Sequence, residues 1–260
     1  MNLLFNKKYR VLHIILNRPA KRNALTLDMS KSIVAAIDEA QTASDIGCIL
    51  LTAHGAVFCA GMDLEEASDV NEEELLAAHE KLFSLGRESL KPIVMAVNGP
   101  ALGGGLGLAA QSHLLYASDV ATFGLPEIRV GLWPFVVYRS LSAAIGRRRV
   151  LALSLTGDYF NSSHAHEWGF VHHVSAPIEV EDHAAAMARH LARASPEAIA
   201  SGLQYVREAH DKLWTEAGET AAQARRRLMA TEDFAEGRLA FKQKRSPRWP
   251  SMPPDFYASK

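Results

Sequence analysis

The sequence predicts an α/β fold in which a core of parallel strands and helices precedes a helical C-terminal region. Three observations predict it. Short apolar runs of strand length occur at 11–16, 48–51 and 93–97. Stretches with helical spacing separate these runs, the alternation that builds parallel sheets. After about residue 177 that alternation ends, and helical composition continues to Phe241.

Each element has a local reason. Val11–Leu16 (VLHIIL) is a buried strand that ends in the turn signal Asn17-Arg18-Pro19. Met29, Ile33, Ala36, Ile37 and Ala40 then share one face of a helix. Cys48–Leu51 gives the second strand. Leu75, His79, Leu82, Phe83 and Gly86 mark a helix within 72–90. Ile93–Val97 is the third strand, bounded by Pro92 and by Asn98-Gly99-Pro100. A glycine-rich helix begins at Gly103, and Leu114–Tyr116 and Ala121–Phe123 read as two more short strands. Ser195-Pro196-Glu197 is an N-cap followed by proline in the first turn. Ile199, Leu203, Val206, His210 and Leu213 continue at helical spacing. The last fifteen residues carry four prolines and cannot extend a helix. The expected division is an α/β core at 1–195 and a helical assembly region at 196–260.

Composition bounds the partners. The chain has 260 residues, 48% of them hydrophobic, and a formal net charge of −1. Nucleic acid and anionic membrane surfaces lose their usual electrostatic basis. No apolar run reaches the roughly 18–20 residues that span a bilayer. Lys7, Lys8 and Arg10 interrupt the N-terminal apolar stretch, so no signal peptide is read there. The two cysteines, Cys48 and Cys59, form neither a disulfide framework nor a metal pattern, and a cytoplasmic setting is expected. His164, His166, His172 and His173 lack metal-ligand spacing, so no metal is expected.

Two segments carry the chemistry. In Ala56–Leu64 (AVFCAGMDL), Asp63 is placed to cap a short acidic helix. In Asn98–Ala109 (NGPALGGGLGLA), glycines bare the backbone N–H groups at a helix start, where an anion or a developing oxyanion is stabilised. Close packing of two backbones is the other use of such glycines, and the sequence leaves both open. Gly105–Ala110 also imitates a dinucleotide fingerprint, with Glu127 twenty residues past Gly107. Asn98–Gly104 separates that motif from its strand, and Glu127 ends no apolar strand, so a dehydrogenase is set aside.

With these segments in place, nearly the whole chain resembles the crotonase superfamily, the enoyl-CoA hydratase/isomerase family. The resemblance rests on Leu16-Asn17-Arg18-Pro19, Arg22-Asn23-Ala24-Leu25, FCAGMDL, VNGPALGGG and FGLPEIRVGLWP at 123–134. It continues through Leu155–Asp158, Glu167–Val171 and Phe241–Pro247, all in family order. It implies a crotonase-like spiral core of repeated strand–helix turns, and a homotrimer or dimer of trimers. The implied partner is an acyl-CoA thioester, with coenzyme A arriving as part of the substrate and no permanently bound cofactor.

The resemblance assigns residues as well. The backbone amides of Met62 and Gly104 form an oxyanion hole, and Glu127 is the general base. Ala60, Asp63 and Leu64 line the adenine pocket. Arg22 meets CoA phosphate, and Phe241 and Lys244 reach CoA bound to a neighbouring subunit. For the basic residues a solvated surface charge is the alternative reading. Arg147-Arg148-Arg149 can face solvent, a partner or phosphate.

The family's hydratases use two glutamates, and the first falls on Gly107 here. One carboxylate is missing, as in the family's Δ3-Δ2-enoyl-CoA isomerases, which also share the Pro134-Phe135 pair. The dienoyl isomerases place aspartate where Phe135 stands. Isomerisation is therefore expected over hydration, unless Asp63, Glu65 or Glu66 supplies a second carboxylate. A non-catalytic acyl-CoA-binding protein is a third reading. Phe123, Leu125, Ile128, Trp133 and Phe135 are expected to desolvate Glu127, and Leu102, Leu106, Trp133 and Phe135 to wall the acyl pocket. Gly107→Glu is expected to add hydration if the site is otherwise intact.

Overall fold

A hairpin opens the chain. In the computed structural model, which describes residues 1–67 and 69–257, β1 (Leu3–Lys8) pairs antiparallel with β2 (Val11–Leu16). Tyr9 and Arg10 make the two-residue turn, both in the left-handed region, at φ 54° and 60°. Such a turn matches strand twist and usually takes Asn-Gly. Here Arg10 is anchored instead, its guanidinium donating to the Ala192 and Ser44 carbonyls at 2.6 and 3.0 Å.

The helix α1 (Leu27–Thr42) starts where Thr26 accepts from the Met29 N–H. It leads to β3 (Cys48–Ala53), parallel to β2. Two short helices, α2 (Leu64–Ala67) and α3 (Glu72–Leu82), follow. The helical stripe expected over 72–90 breaks at Ser84, with a four-residue α4 (Leu85–Glu88) completing it. Next come β4 (Ile93–Val97), β5 (Ala101–Leu102) and the glycine helix α5 (Gly104–Ala109). β6 (Leu114–Ser118) and β7 (Thr122–Gly124) lead into a 3-10 turn at Pro126–Val130. α6 (Phe135–Ile145), α7 (Arg147–Thr156), β8 (Tyr159–Asn161), α8 (Ser162–Glu167), β9 (His173–Ser175) and α9 (Val180–Leu191) complete the core.

The main sheet runs β1-β2-β3-β4-β6-β9 and is parallel from β2 onward. Both of its faces are covered, so β3 and β4 are buried along their whole length. Ile49 and Leu51 join the larger core, while Cys48 and Leu50 face α9. α9 meets the sheet through Val180, Ala184 and Ala188, small enough for close approach. A smaller sheet, β5-β7-β8, stands apart from the main one.

Strand–helix turns thus form the core as expected, with α10 (Pro196–Ala209), α11 (Trp214–Met229) and α12 (Glu232–Gln243) at its end. Ser195 caps α10 by accepting from the Ala198 N–H. Buried Asp233 accepts from the hydroxyls of Ser195 and Ser251, which ties the start of α10 to α12 and the proline-rich tail. Neither α10 nor α11 has a buried residue. The last three residues of the expected C-terminal region, 258–260, lie outside the described residues. Among those described, no helix is long and apolar enough to cross a membrane.

Candidate active site

Three chain segments leave neighbouring parallel strands at the same end. β5 pairs with β7 in the register Ala101 with Phe123 and Leu102 with Gly124. A further bridge sets Cys59 beside Ala101. Gly61-Met62, Gly103-Gly104 and Pro126-Glu127 therefore emerge side by side, at the carboxyl ends where open α/β folds bind ligands.

Each segment is locked. Asn23 is fully buried, accepts from the Arg18 N–H and donates to the His54 and Val57 carbonyls. That fixes the loop before Leu25, whose N–H reaches the Gly61 carbonyl at 2.7 Å. The Gly103 N–H reaches the Gly124 carbonyl at 2.9 Å. Gly61 and Gly103 take φ values of 101° and 53°, where a side chain would be strained.

Both uses of the glycine run are present at once. A Cβ on Gly105 would lie 2.2 Å from the Cys59 carbonyl oxygen, and one on Gly103 would lie 2.8 Å from Glu127 Oε1. These two glycines permit close approach. Gly104 is different: a Cβ there would meet nothing nearer than 3.5 Å and would lie 3.6 Å from the Met62 nitrogen. The Met62 and Gly104 N–H groups thus adjoin, and neither is spent in the backbone network of the described residues. Two free donors at a helix start suit an oxygen that gains negative charge.

Glu127 stands over Gly103. Its Oε2 is buried without a partner among the described residues, and burial raises its pKa above the ordinary glutamate value. The expected enclosure is only partly present, since Phe135 is 73% and Ile128 39% exposed in the single chain. Of the expected pocket walls, Leu106 is buried in the core and Phe135 is exposed, whereas Leu102 and Trp133 are half-buried.

The three other carboxylates weighed as partners are engaged elsewhere. Asp63 accepts from Arg18 at 2.5 Å and from the Glu65 and Glu66 N–H groups, capping α2 as its sequence predicts. Glu65 pairs with Lys21 at 2.7 Å, and Glu66 accepts from the Leu27 N–H. Gly107 is closed off too: a Cβ there would lie 2.2 Å from Val137 Cγ1 and 3.1 Å from Phe83 Cε1. This corrects the expectation for Gly107→Glu, because the side chain has no room until Val137 is reduced. Overpacking of this kind costs about 1–3 kcal/mol or more. Gly107→Glu is expected to lower the melting temperature by several degrees, with part of the loss recovered in Gly107→Glu/Val137→Ala. Only that double variant tests a gain of hydration.

The remaining sequence-assigned residues fall into two groups. Arg22, Ala60, Asp63 and Leu64 lie around Met62: the Ala60 N–H donates to the Arg22 carbonyl, Arg22 is exposed, and Leu64 is 56% exposed. Phe241 and Lys244 sit at the far end of α12, the first 87% exposed and the second ending the helix in the left-handed region. Arg147 and Arg148 are exposed, and Arg149 lies over the Trp168 ring. His172 accepts from the Leu115 N–H, and His166 bonds the Val171 carbonyl. In the sequence Phe83 belongs to a core stripe and Val137 carries no functional signal. Their approach to Gly107 spans distant segments, and no local pattern announces it.

Comparison with known proteins gives the family and the fold. A family model described as enoyl-CoA hydratase/isomerase matches residues 6–252. The mevalonyl-coenzyme A hydratase of Aspergillus fumigatus is 32% identical over 245 residues, covering 92% of this chain and 91% of that protein. The 2,3-dehydroadipyl-CoA hydratase of Escherichia coli is 32% identical over 250 residues, covering 94% and 97%. The crystal structure of an enoyl-CoA hydratase from Mycobacterium smegmatis superposes with a TM-score of 0.90 at 27% identity, covering 96% and 99%.

Proposed function

The chain belongs to the enoyl-CoA hydratase/isomerase family, and within it we propose a single-base isomerase that converts 3-enoyl-CoA to 2-enoyl-CoA thioesters. One observation carries the reading. Half-buried Glu127 holds a buried oxygen, unpartnered among the described residues, beside the glycine helix, while Val137 and Phe83 fill the space at Gly107. In this mechanism the thioester oxygen accepts from the Met62 and Gly104 amides. Glu127 removes the proton at carbon 2, and the double-bond electrons shift as negative charge gathers on that oxygen. The protonated Glu127 then returns the proton at carbon 4. No water enters and no mass changes.

Arg22 would meet CoA phosphate, and the backbone at Ala60, Asp63 and Leu64 would line the adenine. The Asp63 side chain is already committed to Arg18 and α2, which supports a backbone role. Residues 196–260 would serve trimer or hexamer assembly, bringing Phe241 and Lys244 to a neighbour's CoA. Exposed Val206, Leu213, Trp214 and Phe241 support that role. Light scattering is expected to give three or six copies of the 28.4 kDa chain.

Hydration of trans-2-enoyl-CoA is the second reading, favoured by the hydratase names of the relatives. Mass-resolved turnover separates the two. Double-bond movement in 3-enoyl-CoA without mass change supports the isomerase. Gain of one water by trans-2-enoyl-CoA overturns it. Tight binding of both esters with no turnover would indicate a binding protein.

A further inference from the structure

A second buried polar atom lies on α3, the helix that packs beside the site, and has no part in the reaction above. The inward face of α3 carries Leu75, Ala78, His79 and Leu82. Leu75 and Ala78 pack with Leu27 against Met62, the residue that supplies one oxyanion amide. Phe83, four residues after His79, turns its ring toward Gly104 and Gly107. His79 lies between these contacts in sequence, its ring centroid 5.6 Å from that of Phe83. Its side of the site otherwise presents apolar groups, Val137 and Phe83 at Gly107 and Met62 beside Leu75.

His79 is 5% exposed, and its Nε2 is buried without a hydrogen-bond partner among the described residues. Burying such an atom unpaired is costly, and pairing recovers the cost. Burial also lowers the pKa of the ring, so it is neutral at neutral pH. A neutral imidazole nitrogen offers a directional donor or acceptor without a charge, so it suits an oxygen and gives an anion no special preference.

We propose that His79 Nε2 hydrogen-bonds an oxygen on the substrate's acyl chain, making the protein selective for acyl-CoA thioesters with a hydroxyl, oxo or carboxyl group beyond the reacting carbons. This rests on the acyl group lying along the Met62–Gly104 wall, and it holds for either reaction. A site with a buried polar group discriminates strongly against a ligand that leaves it unpaired.

The test is calorimetric binding of saturated esters, which do not turn over: hexanoyl-CoA, 6-hydroxyhexanoyl-CoA, 5-oxohexanoyl-CoA and adipyl-CoA. The wild-type protein is expected to bind at least one oxygenated ester about tenfold or more tighter than hexanoyl-CoA. His79→Phe keeps a ring in place and removes the nitrogens. It is expected to abolish the preference while retaining hexanoyl-CoA binding, and His79→Gln is expected to keep part of the preference. Equal affinity for all four esters in the wild type overturns the proposal and leaves the acyl-CoA site standing. So does a preference that survives in His79→Phe. Failure of every ester to bind overturns both the proposal and the acyl-CoA reading beneath it. Should His79→Phe misfold, His79→Gln and the wild-type panel still decide.

Discussion

Glu127→Gln is expected to lower turnover by about 10²–10⁴-fold and, near neutral pH, to raise the melting temperature. The two effects share a cause. Glu127 is held by burial above its ordinary pKa, and among the described residues Oε2 has no partner to stabilise the charge. A base raised in this way accepts a carbon-bound proton more readily than a solvated glutamate does. The same burial destabilises the ionised fold. Between the unfolded pKa near 4.5 and the higher folded value, the native state binds more protons than the unfolded state. Stability therefore falls as pH rises through that window, and the full penalty applies above it. Glutamine carries no charge and escapes the penalty. The gain in melting temperature is expected at pH 7 and should vanish below about pH 4. Each kcal/mol recovered would appear as about 2–4 °C in a chain of this size. The wild-type rate should fall as acid protonates the base, with a midpoint above the ordinary glutamate range. Thermal melts at both pH values and a pH–rate profile test this together. Full turnover in Glu127→Gln would remove Glu127 as the base.

How much of this was legible in the sequence depended on how local each cause was. β2 and β4 follow from apolar runs bounded by turn residues, and the structure gives them the predicted limits. The Asp63 and Ser195 caps were equally readable, because a cap acts within three residues. The hairpin partner β1 was not, because its turn is Tyr9-Arg10 and the strain there is held by Arg10 reaching Ala192. β5, β8 and β9 are two or three residues long and exist through their neighbours. The candidate site divides the same way. The glycine run and Glu127 belong to contiguous motifs. The engagement of Glu65 and Glu66 with Lys21 and Leu27, and the filling of position 107 by Val137, join segments 30–45 residues apart. His79 reads in sequence as an ordinary member of an apolar stripe. Its missing hydrogen bond is visible only when every neighbour is in place.

Gly104→Ala is expected to separate activity from stability. A methyl group there would find only ordinary contacts: 3.5 Å to Phe83 Cζ, 3.6 Å to the Met62 nitrogen and 3.7 Å to Gly61 Cα. Alanine also favours a helix over glycine by about 1 kcal/mol, so the melting temperature should hold or rise. The position of that methyl is the difficulty. An oxygen that accepts from the Met62 N–H must lie about 2.7–3.2 Å from its nitrogen. A carbon 3.6 Å from the same nitrogen, on the residue that supplies the second donor, crowds the oxygen out of the hole. Loss of one oxyanion contact costs about 10²–10³ in rate, and that is the expected fall in kcat. Gly103→Ala and Gly105→Ala provide the contrast. Their methyl groups meet Glu127 at 2.8 Å and the Cys59 carbonyl at 2.2 Å, so both should lose stability as well as activity. Melting curves and kcat for the three variants test the division of labour among adjacent glycines. Full kcat in a folded Gly104→Ala would mean that the thioester oxygen is held elsewhere.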